Sequence, residues 1–178
     1  MLIKYRLLKA DKYADIVPRL LMDVYSESNL ENTDYFFPDM EDKAEALKKV
    51  EKGFLDFLEN EFFGKEGNLY WIMEKDGIWL SALRTTELEG RTFYIEALET
   101  QPDHRRQGWA ARLIGGVIED LKRGGSFRLR SCVDKENFPS IAAHLNSGFK
   151  IVSQSGEDLL SGEVNDHDYS FEYRYNVE

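Results

Sequence analysis

One cysteine, Cys132, stands in 178 residues, so no internal disulfide can form. Cysteine usage this low suits a reducing cytoplasm. No run approaches the ~18 uncharged apolar residues that a membrane helix needs. The N-terminal stretch from Met1 to Asp15 carries charges and reads as a strand rather than a signal peptide. Histidines are few, three in all, and His104 and His167 are not spaced with carboxylates as a metal site would be, so no metal is expected. Positive charge is also short: 23 Lys and Arg against 33 Asp and Glu give a net charge of -10, which disfavours phosphate backbones and hence nucleic acid. An acidic surface suits a cationic partner and also keeps a protein dissolved. No internal repeat, low-complexity tract or interdomain linker appears, and the length fits one domain over residues 1–178.

What is present alternates between two periods. Met1 to Leu8 alternates as a strand. Asp11 is placed to cap a helix whose apolar residues Tyr13, Ile16, Val17, Leu20, Leu21 and Val24 recur at 3.6, with Pro18 implying a kink or a later start. Ser26 to Met40 reads as a loop. Asp39 then starts a helix to about Phe62, with Leu47, Val50, Phe54, Leu58 and Phe62 as its stripe. From Asn68 the period becomes 2. Strands 68–75 and 78–86 are joined by Asp76-Gly77, a strong hairpin signal, and Glu89-Gly90 turns into a third strand, 91–100.

Gly108 to Arg123 is a helix with Ala110, Leu113, Ile114, Val117, Ile118 and Leu121 on one face, stopped by Gly124-Gly125. Strand 127–133, a short helix 137–147 and strands 149–153 and 169–177 complete the chain. The connection 156–168 is acidic and reads as mobile. This order predicts an α/β fold, a three-layer α/β/α sandwich around a mixed, mostly antiparallel sheet of about seven strands. Strands 91–100 and 127–133, separated by a helix, should be parallel.

Chemistry concentrates at Arg105-Arg106-Gln107-Gly108-Trp109-Ala110, between a strand end and a helix start. The first helical N–H groups have no partner within the helix, and the dipole favours an anion there. Gly108 admits a phosphate close to the backbone, Ala110 keeps the first turn uncrowded, and two arginines add forked donors.

Arg105-x-x-Gly108-x-Ala110 resembles the pyrophosphate loop of the Gcn5-related N-acetyltransferase family. Pro102-Asp103-His104 resembles its usual lead-in. Asn137-x-x-Ser140 through Gly148-Phe149 resembles a second family segment. These motifs cover about residues 94–150, and the element order extends the likeness along the chain. The resemblance implies the acyl-CoA N-acyltransferase fold, whose splayed sheet leaves a V-shaped slot for acetyl-CoA as co-substrate. Pantetheine would pair with free backbone groups of Leu98 and Thr100. Pyrophosphate would sit on the amides of Arg106 to Ala110, through Gln107, Gly108 and Trp109, and Asn137 and Ser140 would meet the pantetheine arm from the other side.

The implied reaction is direct acetyl transfer to a primary amine of a small molecule or peptide. A base must take the amine proton and an acid can help the thiolate leave. Glu96 and Glu99 are the candidate bases. Strand alternation puts them on opposite faces unless a bulge intervenes, and Glu96 matches the family position better. His144 stands where the family usually has a tyrosine acid. Glu27, Glu31, Asp34, Tyr35, Phe36 and Phe37 offer acids and aromatics to a cationic acceptor. Cys132 reads as a buried apolar residue. The substitution at His144 also fits a second reading, a catalytically weak acyl-CoA sensor or interaction module. A monomer or a homodimer is expected.

Overall fold

The structure, a computed structural model, describes residues 1–6 and 16–177, with no side-chain description for 4–6. The chain builds one seven-stranded sheet in the order β1-β2-β3-β4-β5-β9-β6. Its strands are β1 (Leu2–Arg6), β2 (Asn68–Lys75), β3 (Ile78–Leu88), β4 (Thr92–Thr100), β5 (Phe127–Asp134), β6 (Lys150–Ser153) and β9 (Asp168–Tyr175). Every adjacent pair is antiparallel except β4 and β5, which run parallel as the strand–helix–strand order requires. Two short strands, β7 (Gly156–Glu157) and β8 (Val164–Asn165), pair outside the main sheet.

Helices cover both faces. Helix α3 (Trp109–Lys122) lays Leu113, Ile114, Val117, Ile118 and Leu121 on one face of the sheet, against Trp71, Leu83, Phe93 and Leu129. Helix α4 (Phe138–Asn146) adds Ala143 to the same core. The other face carries Tyr70, Ile72, Trp79 and Ala82, covered by Ile16, Leu20, Val24, Leu58 and Phe62. Alternation along β2 explains the split: Leu69 and Trp71 face one layer, Tyr70 and Ile72 the other.

Four expectations change. Asp11, Tyr13 and the end of the first strand lie outside the described residues. Residues 16–19 are helical and run into a π-helical turn, Leu20–Val24. The segment read as a loop from Ser26 to Met40 holds helix α1 (Ser26–Phe36). It has no apolar stripe: its buried residues are the polar Asn29 and Thr33, while Leu30, Tyr35 and Phe36 are exposed. Periodicity of apolar residues therefore has nothing to register. Helix α2 (Lys43–Phe57) is capped by Asp42, not Asp39. The Asp42 carboxylate accepts from the N–H of Ala44 at 3.0 Å and of Glu45 at 3.1 Å. It continues into a second π-helical turn, Leu58–Phe62. The 156–168 connection, read as mobile, forms the β7–β8 hairpin. There the Cys132 thiol donates to the Glu157 carbonyl at 3.0 Å and the Ser170 hydroxyl accepts from the Glu157 N–H at 3.0 Å.

Candidate active site

Strands β4 and β5 pair only from Thr92 to Tyr94 and then part. Beyond Tyr94 that edge of β4 pairs with no strand among the described residues, and a cavity of about 220 Å³ opens between the strands. Glu96, Leu98, Ser131, Asn137, Ser140 and His144 all line it, so five residues singled out from the sequence converge here.

The backbone of β4 is irregular at this point. Arg84 on β3 stands opposite Glu96 and Ala82 opposite Glu99, so Leu83 alone spans Ala97 and Leu98. This is a β-bulge, and Ala97 takes a left-handed φ of 50° to make it. The bulge cancels one step of alternation. Glu96 and Glu99 consequently share a face, the one opposite α3, instead of facing apart. Two tyrosines hold it in place: the Tyr70 hydroxyl donates to Tyr25 at 2.7 Å, and Tyr25 donates to the Ala97 carbonyl at 2.9 Å. Burial pushes the Tyr25 phenol well above its ordinary range, so the donor keeps its proton.

Past the bulge the Glu99 carbonyl accepts from the Ser81 hydroxyl at 2.6 Å and thus points to β3. Backbone groups alternate sides along a strand. Leu98 and Thr100 therefore aim theirs at the slot edge. The Thr100 carbonyl accepts from Arg105 Nε at 3.3 Å.

The basic loop sits between β4 and α3. Arg106 and Gly108 take left-handed φ values of 61° and 78°, and Gly108 is the N-cap of α3, with no side-chain cap. The helix thus presents unfilled N–H groups behind a glycine whose Cβ position is open space. Arg106, Gln107 and Gly108 are exposed, and Trp109 bears on the Arg112 guanidinium, 4.5 Å from its ring centre. Arg105 pairs with Glu27 of α1, tying the loop to the opposite helical layer.

Across the slot, the Asn137 side chain caps α4 by accepting from the Ser140 N–H at 3.1 Å. His144 is 2% exposed and packs edge-on against Phe149. Its Nδ1 lies 2.8 Å from the Ser140 carbonyl, which can only accept, so the proton is on Nδ1. Nε2 is buried with no hydrogen-bond partner among the described residues, as is Ser131 Oγ. Burial lowers the His144 pKa, partly offset by the Ser140 bond.

Both carboxyls are raised above the ordinary range by burial. Arg84 opposes the rise at Glu96, while Ser28 and Arg105 oppose it at Glu99. Glu27 and Glu31 lie close enough to act on Glu99; Tyr35 and Phe36 instead pair with each other at 4.9 Å in solvent. Cys132, read as buried, is half-exposed. No group of three His, Cys, Asp or Glu among the described residues is arranged to hold a metal, and no helix among them is long and apolar enough to cross a membrane. Sequence reasoning missed Arg84, Tyr25, Tyr70 and Ser131, because each matters only through its cross-strand register or its orphaned atom.

A splayed parallel pair, a bulge beside it and a glycine-capped helix start frame one open slot. The model of the acetyltransferase (GNAT) family matches residues 24–149, and the chain belongs to that family. Aminoglycoside N(6')-acetyltransferase type 1 of Serratia marcescens is 43% identical over 56 residues, covering 32% of this chain and 38% of that protein. The match thus spans less than half the length of this curated relative. The fold also matches the ribosomal-protein-S18-alanine N-acetyltransferase of Escherichia coli (TM-score 0.60, 16% identity, 100% of this chain and 96% of that one). It matches YncA of Salmonella typhimurium, solved with its cofactor acetyl-CoA, at TM-score 0.56 and 16% identity, again over 100% and 96%.

Proposed function

We propose that this protein is a single-domain, cytoplasmic N-acetyltransferase that moves an acetyl group directly from acetyl-CoA to a primary amine on a cationic small molecule. The observation that carries the reading is the bulge at Ala97, which turns Glu96 and Glu99 to one face beside the open slot. Pantetheine extends along the free edge at Leu98 and Thr100. The pyrophosphate rests on the amides from Arg106 to Ala110, and Asn137 and Ser140 meet the arm from α4. Glu96 takes a proton from the acceptor ammonium or from the attacking amine. The nitrogen lone pair adds to the thioester carbonyl, the C–S bond breaks, and its electron pair goes to sulfur.

We assign the sulfur side to His144. With Nδ1–H held by Ser140, a proton for the thiolate leaves from Nε2 of the imidazolium, a form that burial disfavours. A cationic acceptor suits the carboxylates Glu27, Glu31 and Glu99 on the helical side, and the partial match to an aminoglycoside enzyme supports polyamines as the first class to test.

The test is a panel of amines, aminoglycosides and amino-terminal peptides, with thiol release and product mass followed together. Acetyl-CoA-dependent acetylation of a cationic small molecule is the expected result. Acetylated peptides alone would move the acceptor to a polypeptide. Thermal stabilisation by acetyl-CoA with no product from any acceptor would favour the sensor reading.

A further inference from the structure

Arg84 is the one basic side chain that stands directly across the strand pair from Glu96 in the β3–β4 register. Its guanidinium reaches the Glu96 carboxylate at 3.6 Å, and both side chains are largely withdrawn from solvent, at 15% and 26% exposure. Two aromatic rings from the helical layer flank it: the guanidinium carbon lies 4.7 Å from the centre of Phe57 and 5.7 Å from that of Phe62. Such a cation stacked on rings is held in place far better than one on the surface. Its Nε is buried with no hydrogen-bond partner among the described residues, an arrangement that costs stability. A structural arginine in this place would be expected to satisfy that group. Among the described residues, Arg84 is the charge that acts to hold Glu96 ionised.

We propose that Arg84 is a positioning residue for acetyl transfer, holding the Glu96 carboxylate on the acceptor face as an anion. The inference rests on Glu96 being the base. The groups around that carboxylate are unequal. Asp158 comes from the β7–β8 hairpin and repels it, Tyr70 of β2 and Tyr94 of its own strand are uncharged phenols, and Cys132 of β5 lines the same cavity. Arg84 supplies the positive charge. Burial alone would keep Glu96 protonated to higher pH, and a protonated carboxyl cannot accept the amine proton. Arg84 works against that while leaving the carboxyl more basic than an exposed glutamate.

The experiment compares R84M, R84Q and R84K with wild type and E96Q, reading the pH profile of kcat/KM on an acceptor from the panel and acetyl-CoA affinity by calorimetry. R84M keeps the apolar stem over Phe57 without the charge. Its acid limb should move up by about one pH unit, with activity recovered on the alkaline side and cofactor affinity unchanged. R84Q should show the same displacement if R84M fails to fold, and R84K should return the limb toward wild type. A wild-type acid limb in R84M or R84Q, in a background where E96Q is inactive, overturns the role of Arg84. Full turnover by E96Q overturns the base assignment instead, and the two failures are distinct.

Discussion

The two ends of the slot are built in opposite ways. At the end proposed to hold the cofactor, residues 105–108 are exposed and Trp109 and Ala110 half-buried, and the chemistry of this contiguous run is backbone chemistry: two left-handed positions, a glycine cap and the first amides of α3. At the proposed transfer end, the groups come from far apart. Arg84, Glu96, Ser131, His144 and Asp158 lie on four strands or helices and a hairpin, and their environment is set by burial. A helix start binds an anion with whatever side chains surround it. A base and an acid work only where the surroundings shift them apart from water. The first kind of site tolerates exposure; the second depends on its absence.

Breaking the transfer end should have the larger effect. Glu96→Gln should lower turnover by ~100- to 10,000-fold while acetyl-CoA affinity stays within twofold or so. If Glu99→Gln produces that loss and Glu96→Gln does not, the base is Glu99, which the bulge places on the same face. Breaking the cofactor end should act on binding instead. Gly108→Glu adds a negative charge and a side chain at a φ of 78°, and should weaken acetyl-CoA by at least tenfold, about 1.4 kcal/mol. Unchanged calorimetric affinity in that variant would remove the slot assignment.

His144 sharpens the contrast through pH. Its folded-state pKa is lowered, below the ordinary ~6.5 that it keeps in the unfolded chain. The unfolded chain therefore takes up the proton first. This group's contribution is fully present above the unfolded pKa and is lost as pH falls through it toward the folded value. His144→Phe should flatten the fall in Tm between pH 7 and 5. As an acid in turnover His144 gives an alkaline limb, placed lower than an exposed histidine would place it, and the Phe variant should lose that limb. A wild-type rate that is flat across this range would leave the thiolate departing unprotonated.

The smallest effect belongs to the bulge backbone. Ala97→Gly relieves a left-handed alanine but gains freedom in the unfolded chain, so stability should change by under about 1 kcal/mol in either direction. The bulge and turnover should persist, because Tyr25 grips the Ala97 carbonyl rather than its methyl. A large loss of turnover with an intact fold would show that the methyl itself shapes the slot.

The sheet, the parallel β4–β5 pair, helix α3 and the basic loop were all legible in the sequence, because each rests on local periodicity, turn chemistry or a contiguous motif. Helix α1 was not, since its buried face is polar and helix-period hydrophobicity is the signal that reading uses. The β7–β8 hairpin within 156–168 was not legible for a related reason: acidic composition suggests solvent, whereas Ser170 and Cys132 bond to the hairpin from more than a dozen residues away.

By itself, the sequence determined the strands of the main sheet, the helices that carry an apolar stripe and a basic, glycine-capped turn at the start of α3, all of which follow from interactions between residues close along the chain. Only the tertiary structure decided that Glu96 and Glu99 share a face, because one bulged residue reverses the alternation that sequence spacing implies. It alone placed Arg84 against Glu96 and buried His144 with one nitrogen unpaired among the described residues. Register and burial are properties of segments distant in the chain, and the pKa of a carboxyl or an imidazole is fixed by what surrounds it after folding, not by its neighbours in sequence.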